Sequence, residues 1–206
     1  EFDIDAKTGE RVPIPKGEAR TRRYIPTRNQ RRLIAFRDKK QHPKDGSSPK
    51  PIDGIILKAR FIGATADIQS HFAARLATQE GVQAITVAHQ TGADQEIYDK
   101  YLKYVLEHFP PWLAPTDYPR NSKDELQIVN ETLGITSSGA RCTSATNIDK
   151  LRGQRCLLLH ESECSRFDRL DEVQAVLGGI MHTSDFSEHW RESTACGRDP
   201  YFSVAF

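Results

Sequence analysis

Apolar residues along the 206-residue chain alternate between short continuous runs and stripes of helical spacing. Residues 1–23 follow neither pattern. They are rich in Pro, Gly and charge, and predict a loosely ordered lead-in to a single domain spanning 24–206. Thr27 is placed to cap a short helix carrying Leu33, Ile34 and Phe36, with Gln30 on its first turn, and the polar stretch 37–53 predicts a loop. Residues 54–57 form the first strand. Ile68, Phe72, Ala73 and Leu76 then recur at three- and four-residue intervals, which places them on one face of a helix over 65–78, closed by Gly81. Residues 82–88, with several β-branched positions, predict a second strand. Beyond Gly92, the side chains of Ile97, Tyr101, Tyr104, Val105 and His108 share a helical face, which Pro110 and Pro111 terminate.

In the second half, 112–123 reads as a loop, 126–129 as a strand, and 135–136 as a shorter edge strand beside it. The Ser-, Thr-, Gly- and Arg-rich stretch 137–155 predicts a long loop of the kind that carries function. Residues 156–159 are wholly apolar, as in a central strand covered on both faces. Asp168 is placed to cap a helix whose Leu170, Val173, Val176, Leu177, Ile180 and Met181 make an apolar stripe, and 190–194 reads as the last strand. Strands alternating with helices predict an α/β fold, a mostly parallel sheet flanked by crossover helices.

Composition adds little to this until charge is mapped along the chain. Hydrophobic residues make up 37% and charged residues 28%, and the formal net charge is only +1. Between Arg11 and Lys50, however, thirteen Lys or Arg face only three acids, Glu18, Asp38 and Asp45. Such an arm serves either as a nucleic-acid contact or as a solvated lead-in. No apolar run is long enough to cross a membrane and no leader pattern opens the chain, so a soluble, intracellular protein is expected. Cys142, Cys156, Cys164 and Cys196 lack CxxC spacing, which predicts reduced thiols and no zinc site. His89, His108, Trp112 and Trp190 read as structural. Glu1-Phe2 and the abrupt end at Phe206 suggest an excised fragment.

Candidate chemistry begins where the first strand ends. Leu57-Lys58-Ala59-Arg60-Phe61-Ile62-Gly63-Ala64-Thr65 leads from a strand through a Gly-containing loop into a helix, the setting of a phosphate-binding loop. Gly63 and Thr65 occupy the second Gly and the hydroxyl positions of G-x-x-x-x-G-K-[ST]. Ala64 stands where the Lys belongs, and Lys58 supplies a positive charge at the front edge instead. About a hundred residues later, the apolar strand ends in His160-Glu161-Ser162-Glu163. A carboxylate at such a strand end can orient and deprotonate water, and a neighbouring oxygen ligand can hold Mg²⁺. Glu163 is the candidate catalytic carboxylate, with Ser162 and Glu161 candidates for the metal. Arg152 is the candidate cation for charge that develops on phosphate, ahead of Arg141 and Arg155. This spacing is that of P-loop nucleoside triphosphatases of the ASCE type, in which an extra strand separates the Walker A and Walker B strands.

Together these stretches resemble the ATPase domain of the large terminase subunit, the DNA-packaging motor of tailed bacteriophages. The loop 57–65 is similar to that family's deviant phosphate loop. Val87-Ala88-His89 with Glu96-Ile97-Tyr98 resembles the stretch after its second strand. Leu159-His160-Glu161-Ser162-Glu163-Cys164-Ser165 resembles its acidic motif, and Arg191-Glu192-Ser193-Thr194-Ala195-Cys196-Gly197, with Tyr201-Phe202, resembles its Ser-Thr-Ala-x-Gly coupling motif. The resemblance implies an ATP-hydrolysing enzyme that drives double-stranded DNA into a procapsid. Lys58 and Arg60 would contact phosphates within the loop Lys58, Ala59, Arg60, Phe61, Ile62, Gly63, Ala64 and Thr65. Thr65 would bind Mg²⁺, Glu163 would activate water and Gln30 would read adenine. Arg152 would complete its own or a neighbouring active site, while Ser193 and Thr194, which share the coupling motif with Ala195 and Gly197, would sense the γ-phosphate. The implied partners are DNA held through its phosphates, portal protein, the small terminase subunit and further copies in a ring, in the cytoplasm of an infected bacterium. No nuclease domain is expected within these residues.

Two departures from the pattern stand out. Ala64 removes the usual Lys, and Ser162 offers Mg²⁺ a neutral hydroxyl where a carboxylate is usual. They keep open a non-catalytic nucleic-acid-binding or assembly module with a degenerate nucleotide site. A helicase-like nucleic-acid ATPase sharing the same core is the other alternative.

Overall fold

The structure is a computed structural model that describes residues 2–4, 11–13, 26–59 and 62–194. Within the predicted lead-in, β1 (Phe2–Ile4) and β2 (Arg11–Pro13) pair antiparallel, apart from the main sheet. The rest of 1–25 lies outside the described residues.

The first helix, α1 (Arg28–Gln41), starts where the sequence says it should. Thr27 and Gln30 form a reciprocal capping box, each side chain bonded to the other's backbone. It runs past Phe36 into the stretch expected to be a loop, because nothing before Pro43 breaks it and Lys39 and Lys40 suit the negative end of the helix dipole. The buried Arg37 joins Asp67 at 2.6 Å, tying α1 to α2 (Ala64–Thr78). Ile68, Phe72, Ala73 and Leu76 of α2 are buried, as the periodicity predicted.

The main sheet has seven strands: β3 (Ile52–Lys58), β4 (Gln83–Ala88), β5 (Asp117–Asn121), β6 (Glu125–Asn130), β7 (Ile135–Ser144), β8 (Leu158–Ser162) and β9 (Glu188–Thr194), in the order β3-β9-β8-β4-β7-β6-β5. The first five are mutually parallel; β6 and β5 add antiparallel pairs at the far edge. Helix α2 packs on one face, with the continuous helical segment α3 (Ala93–Ile97), a π-helical stretch (Tyr98–Lys103) and α4 (Tyr104–Glu107). On the other face, α5 (Leu170–Ile180) buries Val173, Val176, Leu177 and Ile180 against Ile85, Val87 and Leu159. Helices on both faces of a mostly parallel sheet are the architecture the alternation predicted. Gly54 faces Trp190 across the β3–β9 ladder, and a Cβ there would come within 2.6 Å of the indole.

Further expectations fail in the second half of the chain. Residues 135–136 begin a ten-residue strand in the sheet interior, and most of the expected loop 137–155 is that strand and the 3₁₀ turns Ala145–Leu151. Its polar composition conceals a buried face of small side chains, Ser138, Ala140, Cys142 and Ser144. The Ser138 hydroxyl donates to the Gln79 carbonyl at 2.6 Å and accepts from the Val82 N–H at 3.1 Å, so its burial leaves no unmet polar group. The edge strand is instead β5, within the expected loop 112–123. Asp168 does not cap α5: Arg169 precedes the helix in a left-handed conformation, φ 53°, with no side-chain cap. Cys142, Cys156 and Cys164 are buried, Cys196 lies outside the described residues, and no helix among the described residues is long and apolar enough to cross a membrane.

Candidate nucleotide site

Parallel strands deliver their carboxyl ends to one rim of the sheet, and here the register aligns them closely. Lys58 pairs with Thr194 across β3–β9, Ser162 with Glu192 across β8–β9, and Ala88 with Ser162 across β4–β8. Strand β9 therefore stands between the strand that enters the phosphate-loop candidate and the strand that carries the acidic motif. Ligands of open α/β sheets bind at such rims.

The loop reaches α2 through Gly63, whose φ of 78° suits glycine and whose carbonyl accepts from the Gln30 amide at 3.1 Å. A Cβ on Gly63 would meet that amide nitrogen at 2.7 Å. Gln30 thus braces the loop, its side-chain oxygen already accepting from the Thr27 N–H, so both ends of its amide are engaged. Ala64 and Thr65 open the fifteen-residue α2, whose free N–H groups and dipole favour an anion. Arg60 and Phe61 lie outside the described residues. Ile62 turns toward an open cleft of about 400 Å³ between α1 and β3, shared with Leu33, Phe36 and Trp190.

Lys58 reaches inward from the end of β3. Its Nζ lies 3.1 Å from the Thr65 hydroxyl, 3.1 Å from Glu192 Oε1 and 3.6 Å from Glu163 Oε1. Glu163 leaves β8 in the left-handed region, φ 53°, a conformation costing about 1–3 kcal/mol in a non-glycine residue and found where function fixes a side chain. That turn points its carboxylate at the end of β9, where Oε2 accepts from the Thr194 hydroxyl at 2.7 Å and the Thr194 N–H at 3.2 Å, with the Ser193 hydroxyl at 3.5 Å. Partial burial pushes this carboxyl up, but Thr194's two hydrogen bonds and the Lys58 charge outweigh it and hold it below the ordinary range. Ser193 also meets the Ser165 hydroxyl.

The structure thus brings together Lys58, Gly63, Ala64, Thr65, Ser162, Glu163, Ser193 and Thr194. It does not bring in Glu161 or Arg152. Successive strand residues face opposite ways, so Glu161 points across the sheet to Gln174 at 2.8 Å and to His189. Arg152 is exposed between β7 and β8 and pairs with Asp149 at 2.8 Å. Ala195 and Gly197 lie outside the described residues.

Two residues that sequence reasoning passed over sit at the centre. Glu192, fully buried on β9, accepts from Thr65 and lies 3.2 Å from the Ser162 hydroxyl. Burial alone would push its carboxyl up; His160, Lys58 and the Thr65 hydroxyl hold it well below its usual range. His160, also buried, lies 3.2 Å from Glu192 through Nε2 and 2.7 Å from Gln69 through Nδ1. The Gln69 amide also meets the Thr86 hydroxyl at 2.9 Å, so it holds the imidazole in place beside Glu192. The available signal was the charge itself: a Glu inside an interior parallel strand needs a partner.

The sequence matches no protein-family model and no curated protein. Solved structures do match. The large terminase of a thermophilic bacteriophage, in complex with ADP, superposes with a TM-score of 0.61 at 14% identity over 88% of this chain and 42% of that one. The ATPase domain of the Thermus phage P74-26 large terminase, in a mutant form, gives 0.58 at 16% identity over 87% of this chain and 69% of that one. The fold is that of a large-terminase ATPase domain. The HK97 bacteriophage large terminase shares it with a TM-score of 0.51 at 15% identity over 85% of this chain and 40% of its own. The likeness is one of fold, and the chain spans about two fifths of the thermophilic-phage terminase that it matches in two crystal forms.

Proposed function

We propose that this domain hydrolyses ATP to drive double-stranded DNA into a viral procapsid, as the ATPase part of a large terminase. One observation carries the reading: the phosphate-loop cation Lys58, the acidic-motif carboxylate Glu163 and the coupling-motif residue Thr194 meet at one sheet rim, Glu163 bonded directly to Thr194. The position of β9 between β3 and β8 supports assignment to the ASCE class. Phosphates would rest on the N–H groups opening α2, with Lys58 and Arg60 supplying positive charge. Mg²⁺, if held by the oxygens of Thr65 and Ser162, would neutralise phosphate charge. Glu163 is a carboxylate at neutral pH and is suited to orient water and accept its proton. Gln30 would contact the adenine once freed from the loop. Arg152, exposed and bound only to a neighbouring acid among the described contacts, suits a role in the site of the next copy in a ring.

Arg28, Arg31, Arg32 and Lys39 are exposed on α1 and provide a basic surface for DNA phosphates, with portal protein and small subunit as further partners. Binding through phosphates would weaken steeply with salt and show no sequence preference. The decisive test compares ATPase turnover of the wild type and Glu163→Ala. Loss of a general base lowers turnover by roughly 10²–10⁴-fold; equal rates would remove Glu163 from the mechanism. A protein that binds nucleotide yet never turns it over, even with DNA, would favour the assembly-module reading, for which Ala64 and Ser162 are the specific observations.

A further inference from the structure

We infer that Glu192, on β9, supplies the metal-binding carboxylate missing from the acidic motif on β8. The inference rests on the nucleotide-site reading above and deepens it. Mg²⁺ in such sites takes one or two carboxylates, a loop hydroxyl, phosphate oxygens and water. The β8 position holds Ser162, whose neutral hydroxyl is a weak ligand, and Glu161 points to the opposite face of the sheet. Directly across the parallel ladder, in register with Ser162, stands Glu192. Its Oε1 accepts from the Thr65 hydroxyl and lies 3.2 Å from that of Ser162, so one carboxylate joins both expected hydroxyl ligands.

Two further observations point to a cation. The Glu192 side chain is wholly buried, and its Oε2 has no hydrogen-bond partner among the described residues. An ionised carboxylate with an unmet oxygen is costly to bury. The Lys58 ammonium, in turn, sits where oxygens of Thr65, Glu192 and Glu163 converge, at 3.1, 3.1 and 3.6 Å. It stands in for a positive ion at that point and is the group that phosphates would draw away. Among the described residues no three His, Cys, Asp or Glu side chains form a closed metal centre. An open set of one carboxylate and two hydroxyls leaves positions for phosphate oxygens and water.

Titration of the full chain with a fluorescent ADP analogue, in Mg²⁺ and in EDTA, tests this without relying on turnover. The wild type should bind more tightly in Mg²⁺. Glu192→Gln should lose that gain, by at least the roughly ten- to hundredfold that loss of even an outer partner costs a metal site, while its affinity in EDTA stays within about twofold. Ser162→Asp combined with Glu192→Gln moves the carboxylate one strand across and should restore the gain. Retention of the Mg²⁺ gain in Glu192→Gln, or its absence from the double variant, overturns the assignment. If Glu192→Gln does not fold, the double variant alone decides on the same criterion. A wild type that binds the analogue in neither buffer overturns the nucleotide-site reading itself, and this inference with it.

Discussion

Glu188 opens β9 at the end remote from the rim, and its carboxylate joins that strand to α2, the helix that the phosphate-loop candidate leads into. It accepts from His71 at 2.8 Å, from Arg75 at 2.9 Å and from the Trp190 indole at 2.9 Å. Burial would push this carboxyl up, but His71, Trp190 and Arg75 together hold it at about 2 against an ordinary 4.5. At about 1.4 kcal/mol per factor of ten, that gap amounts to about 3 kcal/mol of stability. Glu188→Gln keeps the shape and removes the charge, so thermal unfolding at pH 5 should fall by roughly 6–12 °C for a domain of this size. Because the carboxyl is lower in the folded state, the stabilisation is complete above the unfolded value of 4.5 and is lost as pH falls toward 2. The gap between wild type and variant should therefore shrink by about half between pH 5 and pH 3. Equal melting points at pH 5, or a gap that does not close with acid, would refute the reasoning.

Other predictions concern the rim. Lys58→Ala should weaken nucleotide binding by roughly ten- to hundredfold, the worth of a hydrogen bond from a charged group, as read by fluorescent-nucleotide titration; unchanged affinity would leave Arg60 as the loop's working cation. Gly63→Ala forces a side chain into the left-handed region against Gln30 and should destabilise the domain by about 1–2 kcal/mol. An unchanged denaturation midpoint would show that the loop relaxes freely. Thr194→Val removes a hydroxyl that lowers the Glu163 carboxyl, so the acid limb of the ATPase pH profile should move to higher pH. An unmoved limb would separate Thr194 from the group that titrates.

The parts of the fold legible in the sequence were those where side-chain period and burial agree. The stripe of Ile68, Phe72, Ala73 and Leu76 could only be one helix face, and the apolar runs of β4 and β8 could only be interior strands. The interior strand β7 escaped because its buried face uses Ser138, Ala140, Cys142 and Ser144, residues that look like loop composition and become core only when Gln79 and Val82 meet the Ser138 hydroxyl. Motif order was enough to single out Lys58, Thr65, Glu163 and Thr194, which the fold brings to one rim. It could not separate Glu161 from Ser162, since facing depends on where the strand runs, and β8 extends through Ser162 rather than ending at Leu159. Glu192 was hidden for another reason: its significance lies in a cross-strand register between segments thirty residues apart.

The position of β9 also limits how this domain can move. A strand laddered along both edges to parallel neighbours cannot slide without breaking two rows of hydrogen bonds at once, and its foot is clamped to α2 through Glu188. The middle of the sheet is therefore the stiff frame of the molecule. A change of occupancy at the rim reaches the rest of the protein through what rotates there: the Glu163 carboxylate, the Lys58 ammonium and the hydroxyls of Ser193 and Thr194. Under the proposed function, nucleotide exchange would therefore act first on a few charges set against a fixed backing, before any larger displacement.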